Sequence, residues 1–289
     1  MDAPAIGIIG AGTLGRALAL CLKAHGCNVE VVSSRSAGSA EALAALLEGC
    51  RWASSPQEAA DGSDVVFITT PDSAIAQVAG QVRWSSRHGV LHCSGAHTLD
   101  ILQSAAHQGA AIGSFHPYQT FALVSSSEEA VQRFCGAGVA VEGDGWLAGF
   151  LENLAGRLGC RVVHVEARDR ALYHASAVMS CGHLAALAKV VVDMWREMGV
   201  SEEEALPIIA PIMQSTLANI ASGGVAASLT GPVVRGDGGT LGRHLDALEE
   251  RLTDLAPLYR TLARQSLLAI ASEPSSAMAE DLAGLLDDP

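Results

Sequence analysis

Ile6 to Ala17 reads IGIIGAGTLGRA, and the rest of the chain is organised around it. A short apolar run ends at Gly10, and Gly12 and Gly15 complete a G-x-G-x-x-G spacing. Leu14 to Leu22 then continues as an apolar run long enough for a buried helix. Strand, glycine turn and helix in that order form the context in which the motif binds a dinucleotide. Gly10 makes the tight turn, Gly12 lets the backbone approach a pyrophosphate, and Gly15 lets helix and strand pack closely. The helix start, with Thr13 and Leu14, receives the negative charge. A glycine-rich surface turn would leave the flanking apolar runs unexplained.

Outward from that stretch, apolar runs and helical patterns alternate through the first half. Strands are expected at Val29–Val32, Asp64–Thr70, Gly89–Cys93, Ala110–Phe115, Gly138–Val141 and Arg161–Val165. Helices are expected across Ser39–Leu47, Leu99–His107 and Trp146–Leu158, with another opened by Pro71 and Asp72. DVVFITT (Asp64–Thr70) is nearly all apolar, as a parallel strand covered on both faces should be. The alternation predicts an α/β, doubly wound sheet that binds ligands at the carboxyl ends of its strands.

After Glu166 the pattern turns wholly helical, which places a dinucleotide domain at 1–166 and a helical domain at 167–289. Asp169–Met198 reads as one long helix whose apolar stretch, Ala171–Ala188, is interrupted by His174, Ser176, Ser180 and His183. Those interruptions favour a buried helix over a membrane span. Ser201 and Glu204 have capping-box spacing, and Pro207 and Pro211 should bend or restart the helix that follows. Leu229–Gly239 is too glycine-rich for a helix and reads as an ordered loop. Helices follow at Thr240–Leu252, Ala256–Ala271 and Ala277–Leu286.

Composition excludes several function classes. Of the 289 residues 49% are hydrophobic and 17% charged, so a large core is available. A net charge of -13 without a basic stripe argues against a nucleic-acid partner. Seven cysteines without a C-x-x-C pair, and no leader pattern before the first strand, fit free thiols in the cytoplasm. His92 and Cys93 lack a second ligand pair, so no metal is expected.

An NAD site usually has an acidic residue at the end of its second strand. Here that strand runs into Ser33, Ser34, Arg35 and Ser36. Hydroxyls and a guanidinium fork suit a 2′-phosphate, so NADP(H) is expected, with Thr70 and Pro71 lining the same edge. A plain polar turn is the alternative. Flavin is disfavoured because the chain lacks the length for a second large binding domain.

Three constellations could carry chemistry. Ser94, with the amides of Gly95 and Ala96, could hold a carboxylate or an oxyanion, or simply cap a turn. His116 could deliver a proton to a reduced carbonyl or imine, or hold Pro117 in place. On the long helix His174 shares a stripe with Val178, Cys181 and Ala185, while Ser176, Ser180 and His183 share another. Gly182 in mid-helix implies close approach by another helix or by a ligand. Arg235 could bind a substrate carboxylate with Asp237 orienting it; a structural clasp between the two is the alternative.

These residues carry a resemblance. Gly10–Gly15, Ser94-Gly95-Ala96 and His116-Pro117 are joined by Tyr173-His174-Ala175, Leu229-Thr230-Gly231-Pro232, Arg235-Gly236-Asp237, Thr240 and His244-Leu245. Over nearly its whole length the chain resembles the family that joins a Rossmann-like domain to the helical domain of unknown function 2520. That family is itself similar to pyrroline-5-carboxylate reductases, ketopantoate reductases and the 6-phosphogluconate dehydrogenase group. The resemblance implies an NADP-dependent oxidoreductase with an all-helical C-terminal domain. Family members commonly have Ser-Asn where this chain has Cys181-Gly182, so a helix amide near the substrate is lost.

The resulting expectation is an NADPH-dependent reductase of a small carbonyl or imine compound bearing a carboxylate, a ketopantoate-like 2-oxo acid first. His116, His174 and Ser94 would be catalytic, and Ser94, Gly95, Gly182 and Arg235 would bind substrate. A cyclic imine reductase of the pyrroline-5-carboxylate type and a non-catalytic NADP-binding sensor or scaffold are the alternatives. The partner is a small molecule and not a membrane, and a homodimer through the helical domain is expected by analogy and from its apolar faces.

Overall fold

Eight strands form one sheet in the order β3-β2-β1-β4-β5-β6-β7-β8. They are β1 (Ile6–Ile9), β2 (Val29–Ser33), β3 (Arg51–Ala53), β4 (Val65–Ile68), β5 (Gly89–His92), β6 (Ala111–Tyr118), β7 (Gly138–Gly143) and β8 (Arg161–Val163). Every neighbouring pair is parallel except β6 with β7. The computed structural model describes residues 3–270, 282 and 284–286.

The central strands are covered on both faces because apolar residues point to each side of the sheet. Ile8, Val32, Phe67 and Leu91 enter one core, and Ile9, Val31, Val66, Ile68 and Val90 enter the other. The strand order reverses direction between β1 and β4, and that switch point opens the crevice in which such sheets bind ligands. β3 was not expected: three residues with Arg51 and Trp52 exposed carry too little apolar signal. β6 runs farther than expected and takes His116, Pro117 and Tyr118 into the strand, because antiparallel pairing with β7 extends to Tyr118.

By its internal contacts the chain divides into Met1–Cys181 and Gly182–Pro289. The first helical turns after residue 166 therefore go with the sheet. The expected long helix is a 3-10 turn at Ala167–Asp169, a helix at Arg170–Val178, a wider π turn at Met179–His183 and a helix at Leu184–Glu197. It is not buried in the single chain: only 6% of its most apolar window is covered.

In the second unit Ser201 and Glu204 form the expected capping box and start the helix Glu202–Gly223. Pro207 and Pro211 do not interrupt it. The carbonyls that each proline leaves without an N–H partner lie on a helix exposed almost all round. The expected loop 229–239 holds one helical turn, Pro232–Arg235. Pro232 pre-sets its first position, and Gly231 and Gly236, both at positive φ, enter and leave it. Further helices run over Gly238–Arg251 and Ala256–Ile270. Val233, Leu241, Leu245, Ala263, Leu282 and Leu286 form a core there, and Val192, Ala205 and Ile209 a smaller one. The helix expected at 277–286 lies largely outside the described residues.

Candidate active site

The glycine turn is built as its spacing requires. Gly10 stands at φ +123°, and a Cβ there would come within 2.8 Å of the Thr69 backbone. A Cβ on Gly15 would lie 1.9 Å from the Gly10 carbonyl oxygen. Nothing lies within 4 Å of the Cβ position of Gly12, so that side is open. Thr69 at the end of β4 donates its hydroxyl to the Gly10 oxygen at 2.7 Å and ties the turn to the switch point.

The helix Thr13–Ala24 has no side-chain cap and no acidic residue in its first turn. Its N–H groups and dipole are left for an anion, with Thr13 exposed and Leu14 half-buried at its start. At the end of β2 the buried Ser33 hydroxyl has no hydrogen-bond partner, nor does the buried Thr70 hydroxyl after β4. Ser34 is half-buried and Arg35 exposed. Ser36 caps the helix Ala37–Ala44 by accepting from the Ser39 N–H. Pro71 precedes the helix Asp72–Gln81. Open amides, orphaned hydroxyls and a free guanidinium beside β2 fit a dinucleotide with a 2′-phosphate.

Ser94 is placed differently from expectation. Its hydroxyl donates to Asp72 Oδ2 at 2.7 Å, lies 3.0 Å from His97 Nδ1, and accepts from the amides of Ala96 and His97. A hydroxyl with its one proton so engaged holds the turn after β5 and is not disposed toward a substrate. Gly95 is held against two imidazoles: a Cβ would lie 2.6 Å from His116 Nε2 and 2.7 Å from His174 Cδ2.

The two histidines expected as alternative proton donors thus meet at one place, their ring centroids 6.0 Å apart. His116 Nδ1 lies 2.8 Å from the Tyr173 hydroxyl. Burial, with the neighbouring His174 and Arg170, pushes His116 down to about 4, so its imidazole is neutral at neutral pH. His92, fully buried on the next strand, is pushed down to about 4 by burial, Arg170 and His97.

Beneath them lies Arg170, 1% exposed, which the sequence did not single out. Its guanidinium donates to the Ser94 carbonyl oxygen at 3.4 Å, to Ser114 Oγ at 2.5 Å and to Glu142 Oε2 at 2.8 Å. His92, Ser114 and Glu142 are direct cross-strand neighbours, so Arg170 spans a polar row of three strands. Asp72 and Tyr118 are other residues that sequence reading missed, and Tyr173 entered it only within the resemblance, without a role. The only signals were Asp72 directly after Thr70-Pro71 and Tyr173 beside His174.

Ser176 and Ser180 do share a face, and both contact the Tyr118 hydroxyl at 3.1 Å. The π turn adds residues per turn after Val178, so the helical stripes expected to continue through Cys181 and His183 do not hold their register. Gly182 lies exposed within that turn. Arg235 is exposed on the second unit, and Asp237 does not orient it by a hydrogen bond. Asp237 instead caps the helix Gly238–Arg251 through the Thr240 N–H at 2.9 Å. Among the described residues no group of three metal-ligating side chains occurs.

Residues 5–94 match the family described as NADP oxidoreductase, coenzyme F420-dependent, and residues 137–266 match the domain of unknown function DUF2520. Each match spans less than half of the chain, the NADP oxidoreductase one lying before the DUF2520 one. NADP is therefore the nucleotide of its class, as the second strand's end implied. In solved structures, an NADP oxidoreductase by name, BF3122 from Bacteroides fragilis, is 23% identical with a TM-score of 0.73, covering 92% of this chain and 98% of its own. A reductive aminase from Aspergillus terreus, solved with NADPH and ethyl levulinate, is 17% identical with a TM-score of 0.65, covering 98% of this chain and 99% of its own. A pyrroline carboxylate reductase from Plasmodium falciparum, solved with NADP bound, is 12% identical with a TM-score of 0.63, covering 99% of this chain and 100% of its own. At these identities the likeness establishes the fold. No curated protein matches the chain by sequence.

Proposed function

We propose that the chain is an NADPH-dependent reductase of a small carbonyl or imine compound bearing a carboxylate, with ketopantoate-like 2-oxo acids as the first substrate class. The observation that carries the reading is the pair His116 and His174, which share the Gly95 turn at the carboxyl ends of β5 and β6. That edge also presents the open helix N-terminus after Gly12.

Bound NADPH supplies a hydride, and the chain supplies the rest. Gly10, Gly12, Thr13, Leu14 and Gly15 cradle the pyrophosphate, while Ser33, Ser34 and Arg35 take the 2′-phosphate. Thr70 and Pro71 line the crevice between them. A carbonyl or imine that accepts hydride needs its heteroatom polarised and then protonated. His116, neutral and half-buried, serves as a hydrogen-bond donor, and the adjacent His174 delivers the proton. From its sequence setting among glycines, Arg235 is the residue proposed to anchor the substrate carboxylate. Cyclic imines are the second substrate class, in keeping with the reductases named for imine chemistry among the structural neighbours.

The working form is a homodimer built through the helical unit, in the cytoplasm. The helix Glu202–Gly223 supports this, since only 11% of its most apolar window is buried in the single chain. The seven free cysteines support a reducing compartment.

The test is NADPH oxidation by a panel of 2-oxo acids, cyclic imines and the neutral esters of the acids. Turnover of the acids or carboxylated imines, with the esters poorer in KM, is the expected result. Tight NADPH binding with no turnover across the panel would make the chain a sensor or scaffold.

A further inference from the structure

The strand β6 and the helix Arg170–Val178 are joined by matched polar contacts. Ser114, His116 and Tyr118 alternate along the strand and so project from one face of it. Each meets a different turn of the helical segment: Ser114 meets Arg170, His116 meets Tyr173, and Tyr118 meets Ser176 and Ser180. Arg170 is fixed by Ser94, Ser114 and Glu142, and the two serines fix the other end. Tyr173 between them has little freedom to move away from His116.

We propose that Tyr173 is a positioning residue that selects the tautomer of His116, donating its hydroxyl proton to Nδ1 so that Nε2 carries the hydrogen. This rests on the reading of His116 as a substrate-facing group and specifies what it offers. A neutral imidazole has one N–H, and whichever nitrogen accepts a hydrogen bond leaves the hydrogen on the other. The phenol oxygen is 2.8 Å from Nδ1 but 3.4 Å from the His116 carbonyl oxygen, so the imidazole nitrogen is the better-placed acceptor. Imidazole nitrogen also accepts more strongly than phenol oxygen, which disfavours the reverse arrangement with Nδ1 donating. Burial and the positive field of Arg170 keep the ring neutral, so the tautomer question is real at neutral pH.

The consequence lies at the other nitrogen. Nε2 faces Gly95, where a Cβ would stand only 2.6 Å away, so no side chain covers it from that turn. With the hydrogen there, His116 presents a fixed donor to a carbonyl oxygen or imine nitrogen and cannot act as a base. The proton is then supplied by a second group, for which His174 is placed.

The experiment is long-range proton–nitrogen NMR of the full chain with 15N-labelled histidine at neutral pH. Assignment comes from the His116→Asn spectrum. The wild-type ring should show a bare Nδ1 and a protonated Nε2, and Tyr173→Phe should give a tautomer mixture. In the same variant kcat should fall about 10–100-fold, the usual loss when a partner hydrogen-bonded behind a working imidazole is removed, with NADPH affinity and KM little changed. A wild-type ring protonated at Nδ1, or an unchanged Nε2–H tautomer in Tyr173→Phe, would overturn the proposal without needing any turnover measurement. A lost tautomer preference with unchanged kcat would leave the selection by Tyr173 standing and overturn His116 as the substrate-facing group.

Discussion

Arg35 carries the cofactor choice at the scale of single residues. It stands exposed just beyond β2, beside a Ser33 hydroxyl that is buried and unpartnered. Replacing it by glutamate removes a charge-assisted pair and adds repulsion toward a 2′-phosphate. Arg35→Glu should weaken NADPH binding by about 2–4 kcal/mol and NADH binding far less. Titration calorimetry with both nucleotides checks this, and equal losses would mean that Arg35 points elsewhere. Ser94 shows the opposite case of a residue with suggestive chemistry but a local duty. Its hydroxyl is shared among Asp72 and two amides, and its carbonyl is held by Arg170. The turn it fixes is what brings Gly95 under His116 and His174.

At the scale of elements, the helix Glu202–Gly223 leaves most of its apolar surface uncovered in the single chain. Ile208, Ile212, Leu217 and Ile220 are all more than a third exposed, with Ile212 at 68%. Such a face in water calls for a protein partner, and a second copy has the same apolar helix to offer. Burying an isoleucine is worth about 1.5–3 kcal/mol. The double change Ile212→Glu and Ile220→Glu should therefore raise the dimer dissociation constant by roughly 10²–10⁴-fold. Sedimentation velocity at micromolar concentration reads both states, and a monomeric wild type would rule the dimer out.

Across the whole molecule the buried histidines set the acid limit. His92 and His116 lie at about 4, and His88 is also lowered by burial. In the unfolded chain each titrates near 6.5. Between those values the unfolded state binds protons that the folded state refuses. Stability is therefore full above about 6.5 and is lost as pH falls toward 4. Each of the two deeper histidines contributes a slope of about 1.4 kcal/mol per pH unit in that window. Urea unfolding across this range should show the loss, and His92→Gln should flatten it by about one histidine's share. An unchanged slope would place the acid sensitivity in other groups.

The sequence alone determined the βα alternation, the dinucleotide turn and the change to helices after Glu166. Those features are local: Gly10 and Gly15 sit within one turn of each other, and apolar periodicity reports burial without knowing the partner. The Ser201–Glu204 cap was legible for the same reason. The candidate site was legible only in part. His116 and His174 were visible as residues, but their meeting at Gly95 depends on a strand and a helix 58 positions apart coming into register. Arg170 looked like one more charge on an apolar helix, because nothing near it in sequence shows Ser94, Ser114 and Glu142 converging on it. Asp72 was hidden in the same way, its partner Ser94 lying on the neighbouring strand's end. The π turn at Met179–His183 broke helical stripes that a constant period of 3.6 would have carried through. Pattern within an element followed from the order of residues, while the pairing of polar groups between elements was decided by sheet register and by where one helix lies on it.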